Sequence, residues 1–583
     1  MMNENILENF KNIADKYQAI LGQLMNYKNT APAGSVFSQE KMQEIVSGLL
    51  DKMQERPEQF AKLNMEYSER LGVLITNTLM KFIGEEVPSI FSPSKGDKRF
   101  KDPAWDENIY FNFLKQFYLM SSELILNHVS SLELEPQSQR MVEFLVKQFT
   151  GAFCPSNFAL SNPEVFKESM STGWQNIAQG LENFLSDLKQ SDGVFNINTV
   201  DKLSFKIGQN IAATPGKVVF QNELMQLIAY TPKLDTYSIP ILIVPPCINK
   251  YYILDLSPEN SFVKWLVDNN FQVFLISWVN PDKHLADKDF EDYIKDGIIA
   301  SCNFIRDVAG YPQMNAIGYC IGGTMLGAAL SYMSKMKMNH IISASFFATL
   351  FDFTEPGDIG LFINEETLKA TEEETVYRGY FDGKYLAQSF SLLRANDLIW
   401  SFFVNNYLLG RRPLPFDLLY WNSDPTNLPA KMYSFYIRNM YIDNRLAKPG
   451  GIRISGEEID LSKIKIPSFF LSCKDDHITL WKPTYKGMQI LGGEKIFCLT
   501  SSGHVAGVIN PPQNRKYSYW AYGDTNLNAD EYLEQSKETP GSWWEFWKEW
   551  AKKKSGKMSD NVSIYNKLPK IESAPGSYVK VSW

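Results

Sequence analysis

The sequence GYCIGG at residues 318–323 decides the fold. It directly follows the strand-like run NAIGY at 315–319 and precedes TMLGAAL, a run of small and apolar residues that suits a helix. A strand, a tight turn and a helix around G-x-C-x-G predict a nucleophile elbow in which Cys320 takes the place of a serine. Gly318 and Gly322 leave room for the strained turn. We interpret Cys320 as a nucleophile; a buried structural thiol is the alternative.

Further β-rich runs surround this turn, and helix-length segments separate most of them. They lie at 217–220, 239–245, 272–278, 339–347, 466–472 and 495–500. Continuous apolar strands that alternate with helices predict a mostly parallel sheet covered on both faces. Together with the elbow, they predict an α/β-hydrolase fold.

The sequence pattern changes near residue 195, from helical periodicity to short β-rich runs. Residues 1–195 are predicted to form a helical N-terminal domain, which serves interaction or oligomerisation or is a plain structural extension. Residues 196–583 are predicted to form the catalytic domain, with an aromatic cap insertion at about 352–455. An amphipathic stripe opens the chain at Ile6, Phe10, Ile13, Tyr17, Ile20 and Leu24. A second stripe, expected to pack on the body of the protein, consists of Trp543, Trp544, Trp547 and Trp550.

Composition narrows the class of protein. The chain is 44% hydrophobic with a formal charge of −8, so it can bury a large core and has no general attraction to nucleic acid. Its start lacks the pattern of a secretory signal, and no apolar run approaches the ~20 residues of a membrane helix. The six scattered cysteines favour reduced thiols and a cytoplasmic location over a disulfide framework or a zinc site.

A nucleophilic cysteine needs a base, and in this fold the acid and then the histidine follow the nucleophile in the chain. Three histidines lie downstream of Cys320, namely His340, His477 and His504. His504 follows the run at 495–500 and is the predicted base, whereas His340 precedes a strand and is expected to be incidental. Asp476 is the predicted acid, with Asp475 as its main competitor, and a substrate contact by His477 is left open.

The oxyanion hole of such a site needs two N–H donors. One is expected from Ile321, directly after the nucleophile, and the other from Cys247, after the run at 239–245. The alternative role for Cys247 is that its thiol acts as a second nucleophile.

The elbow and several longer motifs resemble polyhydroxyalkanoate synthases. The elbow motif is GYCIGGT at 318–324. The others are PPCINKYYILDL at 245–256, WVNPD at 278–282, NDLIW at 396–400, PFDLLYWN at 415–422, DHI at 476–478, GHVAGVINPP at 503–512, GSWW at 541–544 and APGSYV at 574–579. The resemblance runs from roughly residue 90 to the C-terminus, and its motifs keep their order.

Within that family, the chain resembles class I enzymes in its length and in having a cysteine at position 247. This implies an acyltransferase that polymerises short 3-hydroxyacyl-CoA thioesters, chiefly 3-hydroxybutyryl-CoA, and releases CoA, without a metal or redox cofactor. It also implies a homodimer at the surface of a polymer granule in the cytoplasm. One departure is TLW at 479–481, where VPW is commoner; it is expected to touch no catalytic atom.

Two other functions stay open at this point. A thioesterase or polymer depolymerase of the same fold would pass the acyl group to water, which an aromatic cap disfavours. A granule-surface structural protein would not need the three residues of the triad.

Overall fold

The computed structural model describes residues 8–9, 11–13, 15–16, 47, 57–132, 134–190 and 196–582. From the predicted N-terminal stripe, Ile6, Phe10, Tyr17, Ile20 and Leu24 lie outside the described residues. The chain forms two compact units, one of residues 1–201 with 391–414 and one of residues 202–390 with 415–583.

The described part of the first unit is helical. Its α-helices up to residue 201 are Pro57–Phe82, Ala104–Glu107, Ile109–Ser130, Pro136–Ala152, Pro163–Thr172 and Gln175–Gln190. The segment 391–414 belongs to this unit although it lies within the predicted insertion at 352–455. In this unit Tyr407 donates to Asp187 at 2.7 Å, and a Cβ on Gly180 would lie 1.9 Å from the Tyr407 carbonyl oxygen.

The second unit is built on a sheet that has eleven strands among the described residues. The strands are β1 Gly216–Gln221, β2 Met225–Tyr230, β3 Ile241–Val244, β4 Val273–Trp278, β5 Met314–Tyr319, β6 Ile341–Phe347, β7 Ser468–Cys473, β8 Lys495–Thr500, β9 Ser518–Ala521, β10 Lys537–Pro540 and β11 Glu572–Ser573. Their order is β10-β9-β8-β7-β6-β5-β3-β4-β2-β1-β11. The six strands from β8 to β4 are parallel, and the pairs on either side of them are antiparallel.

Alternation along the strands separates two hydrophobic cores, one on each face of the sheet. On β3, Leu242 packs in one core and Ile243 in the other. The helices that matter below are α1 Phe262–Asp268, α2 Ile321–Lys335, α3 Trp481–Gln489 and α4 Trp543–Lys552. Residues of α2 and α3 pack in the first core, and residues of α1 and α4 pack in the second. This covered, mostly parallel sheet confirms the predicted fold class.

The other helices of the second unit are short or lie between β6 and β7. Their α-helical ranges are Phe290–Asp292, Ala300–Asp307, Glu365–Arg378, Gly383–Leu393, Asp417–Asn422, Ala430–Tyr436, Ala529–Gln535 and Val562–Lys567. The predicted insertion at 352–455 lies wholly in the segment between β6 and β7. Among the described residues, none of the helices has the length and apolarity needed to cross a bilayer.

The turn between β5 and α2 is closely packed. Cys320 has φ 53° and ψ −128°, outside the conformations that residues with a side chain favour. A Cβ on Gly322 would lie 2.3 Å from the Val244 carbonyl oxygen, and one on Gly323 would lie 2.0 Å from Thr349 Oγ1. Gly322 therefore allows α2 to start directly against the end of β3, and Gly323 allows it to approach Thr349, just after β6.

We expect Gly322→Ala to destabilise the protein by about 2–4 kcal/mol, because the added methyl group meets backbone that cannot move aside. The matched control is Gly72→Ala, since a Cβ there meets nothing within 4 Å in the helix Pro57–Phe82. Thermal unfolding followed by circular dichroism measures both. Equal melting temperatures for the two variants would contradict this account of the turn.

Candidate active site

Cys320 lies at the edge of the sheet where the parallel strands end. Its N–H donates to the Phe347 carbonyl oxygen at 2.9 Å, which joins the turn to the end of β6. Its side chain is half-buried. The other five cysteines are free and buried, namely Cys154, Cys247, Cys302, Cys473 and Cys498. Cys320 is thus the most accessible thiol of the chain.

Asp476 and His504 follow β7 and β8 and meet at the same edge of the sheet. His504 Nδ1 lies 2.8 Å from Asp476 Oδ2, and both side chains are buried. The Cys320 sulfur lies close enough to His504 to interact with the imidazole and raise its pKa. The structure therefore brings together Cys320, His504 and Asp476, the three residues that the sequence assigned to a triad.

The Asp476 carboxylate is surrounded by donors from its own loop. Oδ1 accepts from the N–H groups of Ile478 at 2.8 Å and Thr479 at 2.9 Å, and Oδ2 accepts from the Thr479 hydroxyl at 2.7 Å. Burial by itself raises the pKa of Asp476, but the interaction with His504 and the Thr479 donors lower it below the ordinary value. Asp476 is therefore ionised, whereas the competing Asp475 is exposed.

The expectation that the TLW departure touches no catalytic atom is wrong. Besides Asp476, the Thr479 hydroxyl oxygen contacts His504 Nδ1 at 3.2 Å. The sequence showed that Thr479 was unusual, but the direction of its side chain depends on the turn after β7, which residue spacing does not reveal.

His504 is strongly basic. Burial lowers its pKa, but the Asp476 carboxylate and the Cys320 sulfur more than compensate and raise the pKa of His504 to about 10. At neutral pH the imidazole is accordingly protonated and places a positive charge beside the sulfur. Such a charge can stabilise negative charge that develops on the sulfur during a reaction.

The loop that carries His504 is held from behind by α4. The indole N–H of Trp543 donates to the Gly507 carbonyl oxygen, and that of Trp544 donates to the Val508 carbonyl oxygen, each at 2.9 Å. On the other side, the Tyr319 hydroxyl donates to the His504 carbonyl oxygen at 3.0 Å, and the two rings stack. The four tryptophans of α4 are buried, as their spacing predicted.

The two predicted oxyanion donors lie on segments that meet. Ile321 is the first residue of α2, so its N–H has no partner within the helix. The contact of Gly322 with the Val244 and Pro245 carbonyls brings α2 against the loop that leads to Cys247. Burial, and then the Cys320 sulfur, raise the pKa of the Cys247 thiol, which keeps it neutral and makes it a poor nucleophile.

The remaining histidines lie elsewhere or contribute less. His340 precedes β6 and contacts Arg306. His477 is half-buried in the loop between Asp476 and Thr479. Within the part of the chain that the structure describes, His, Cys, Asp and Glu side chains form no cluster suited to a metal ion.

Two tyrosines near Cys320 escaped the sequence analysis. Tyr436 and Tyr441 interact electrostatically with the Cys320 sulfur, and their rings pack on each other and on Phe353. They belong to the helix Ala430–Tyr436 and the π-helix Ile437–Ile442, inside the predicted insertion. Their only signal in the sequence was the aromatic content of that segment. They place two phenol groups, backed by the Phe353 ring, near the sulfur.

Two family models match the chain. The model described as "Poly-beta-hydroxybutyrate polymerase (PhaC) N-terminus" matches residues 96–266. The model described as "alpha/beta hydrolase fold" matches residues 240–506, a range that contains Cys320, Asp476 and His504.

Similar proteins align along most of the chain. It is 40% identical over 508 residues to the "Poly(3-hydroxyalkanoate) polymerase subunit PhaC" of Rhizobium meliloti (strain 1021), covering 87% of this chain and 83% of that protein. It is 42% identical over 499 residues to the protein of the same description from Rhizobium etli, with 85% and 78% covered. It is 37% identical over 529 residues to the "Poly(3-hydroxyalkanoate) polymerase" of Methylorubrum extorquens, with 90% and 87% covered.

We expect iodoacetamide to alkylate Cys320 before the buried cysteines at pH 7. His504→Gln should slow this alkylation about tenfold or more, because the positive charge beside the sulfur is lost. Peptide mass spectrometry after timed quenching measures the rate, and Cys320→Ala provides the blank. An unchanged rate in His504→Gln would show that the two side chains do not act as a pair.

Proposed function

The chain belongs to the family of poly(3-hydroxyalkanoate) polymerases and polymerises hydroxyacyl-CoA into polyhydroxyalkanoate; we propose that it does so through a covalent acyl intermediate on Cys320. The observation that carries this proposal is the contact of a half-buried thiol with a basic histidine that is bonded to a buried carboxylate. This arrangement matches the nucleophile, base and orienting acid of covalent catalysis.

The first step is acyl transfer to the enzyme. The Cys320 thiolate attacks the thioester carbonyl carbon of the substrate, a new C–S bond forms, and the bond to the CoA sulfur breaks. The proton that His504 took from Cys320 goes to the departing CoA sulfur. One thioester replaces another, so the acyl group keeps its activation for the next step.

The second step is chain elongation. His504 accepts the proton of a 3-hydroxyl group while the hydroxyl oxygen attacks the acyl carbon held on Cys320. The new ester bond forms, the C–S bond breaks, and the Cys320 sulfur is released. Asp476 orients the imidazole through Nδ1 and balances its charge, so it is a positioning residue in this scheme.

The negative oxygen that develops in both steps is proposed to accept from the N–H groups of Ile321 and Cys247. The start of α2 supports this role for Ile321, because helix N-termini favour negative charge. The neutral, buried thiol of Cys247 supports a backbone role for this residue over that of a second nucleophile.

The finer assignments are also part of the proposal. The class I resemblance at Cys247 supports short substrates, chiefly 3-hydroxybutyryl-CoA, and the chemistry of the proposed site requires no cofactor. The resemblance supports a homodimer at the surface of a polymer granule in the cytoplasm. The aromatic cluster of Phe353, Tyr436 and Tyr441 near the sulfur supports a site that restricts water, and hence a synthase over a thioesterase or depolymerase.

The assay combines 3-hydroxybutyryl-CoA with free-thiol detection and turbidity. A synthase releases CoA and clouds the solution, a thioesterase releases CoA alone, and a structural granule protein does neither. Cys320→Ala should remain folded, because a small side chain replaces a small one, and should release no CoA above background. Substantial CoA release by folded Cys320→Ala would refute the covalent proposal.

Asp476→Asn tests the acid against its neighbour in the sequence. We expect this variant to lower the polymerisation rate by about 10²-fold or more, because an amide neither balances the imidazolium nor holds Nδ1–H in place. Asp475→Asn is the matched control and should stay within about twofold, as that side chain is exposed. A greater loss in Asp475→Asn would mean that the acid has been assigned to the wrong residue.

A further inference from the structure

The Thr479 hydroxyl forms a triangle with the two partners of the acid–base pair. Its Oγ1 lies 2.7 Å from Asp476 Oδ2 and 3.2 Å from His504 Nδ1, while Nδ1 and Oδ2 lie 2.8 Å apart. Thr479 is 4% exposed, so water does not compete freely for these contacts. The hydroxyl group therefore acts on the pair at close range.

The direction of each hydrogen bond follows from the charges. Ionised Asp476 only accepts, so the facing Nδ1 of His504 carries a proton and donates it. The single proton of the Thr479 hydroxyl is then directed to Oδ2, and its oxygen is left to share the Nδ1 proton. Two donors, Thr479 and His504, thus compete for one carboxylate oxygen.

We propose that Thr479 is a positioning residue that holds down the proton affinity of His504 by donating to Asp476, and so lets chain elongation continue at lower pH. This inference rests on the proposed triad. A donor to a carboxylate stabilises its charge and weakens it as an acceptor. An imidazolium bonded to that weaker acceptor loses its proton more easily.

Elongation is the step that should respond. In the free enzyme both Asp476 and the Cys320 sulfur raise the pKa of His504. Acylation makes the sulfur neutral, which leaves Asp476, under the control of Thr479, as the main charge beside the imidazole. His504 must be neutral to accept the hydroxyl proton, so any rise in its pKa slows elongation at low pH and leaves the rate at high pH unchanged.

We considered whether other titratable groups around Asp476 and His504 contribute to the dependence of the elongation rate on pH. Burial raises the pKa of the thiols and phenols around the site. Of these, Tyr319 and Cys473 interact with Asp476, whereas Cys247, Tyr436 and Tyr441 interact with Cys320. These groups stay neutral over the working range. Asp475 is exposed, and His477 lies on the same loop as Thr479. The Thr479 variants described below are therefore also made in a His477→Gln background.

The test compares Thr479→Val, Thr479→Ser and the matched control Thr484→Val. Valine keeps the shape of threonine without the hydroxyl, and serine restores the hydroxyl. Thr484 is buried in α3 and donates to the Leu480 carbonyl oxygen at 3.0 Å. Loss of its hydroxyl group removes this one hydrogen bond, which does not involve Asp476 or His504. For each full-length variant, kcat for CoA release is measured against pH at saturating 3-hydroxybutyryl-CoA, with circular dichroism as the check of folding.

We expect Thr479→Val to shift the acid limb of the profile of kcat against pH to higher pH by about one unit. At a given pH on that limb, kcat then falls roughly tenfold. Thr479→Ser and Thr484→Val should keep the wild-type limb, and the shift should persist in the His477→Gln background. A Thr479→Val profile that superimposes on wild type, or an equal shift in Thr484→Val, would overturn the inference. If Thr479→Val does not fold, Thr479→Ala carries the same expectation.

Failure of this inference differs from failure of the proposed function. An unmoved acid limb in Thr479→Val together with an inactive Cys320→Ala removes only the role of Thr479. An active Cys320→Ala removes the triad itself, and the inference with it.

Discussion

The backbone of Cys320 adopts φ 53° and ψ −128° at the junction of β5 and α2. Such a conformation costs on the order of 1–3 kcal/mol and persists only where neighbours enforce it. Here the N–H of Cys320 is bonded to Phe347, its carbonyl oxygen accepts from Gly323, and Gly322 lies against the end of β3. The sulfur is thereby placed at the edge of the sheet next to the start of a helix. The base, the acid and the proposed oxyanion donors can act only if the sulfur lies at this place.

A second constraint is the burial of charge around the sulfur. Ionised Asp476 and protonated His504 would be costly to bury alone, and they are tolerated because each is bonded to the other and to fixed donors. The His504 loop must also keep its place, and α4 holds it through the indole N–H groups of Trp543 and Trp544. A helix near the C-terminus thus supports the loop that carries the base, and both pack in the same core. Packing and chemistry are linked through backbone carbonyl groups.

Much of this could be predicted from the sequence. Strand runs and the elbow predicted the sheet and the position of Cys320. The order of nucleophile, acid and histidine along the chain, with the run at 495–500, predicted His504. Residue spacing favoured Asp476 over Asp475 but could not show that Asp476 turns inward while Asp475 is exposed. Thr479 was misjudged, and Tyr436 and Tyr441 were missed, because their contacts depend on turn geometry and on a long insertion. The periodicity of the sequence likewise does not predict that residues 391–414 belong to the same unit as the N-terminal helices.

The central claim is that the growing acyl group is carried on Cys320. The most direct measurement is peptide mass spectrometry of the enzyme quenched in acid within its first turnovers on 3-hydroxybutyryl-CoA. Our account predicts that the peptide containing Cys320 gains the mass of one or more hydroxybutyryl units, and that His504→Gln reduces this fraction sharply. Polymerising enzyme that shows no adduct on Cys320, or shows it on Cys247, would contradict the account.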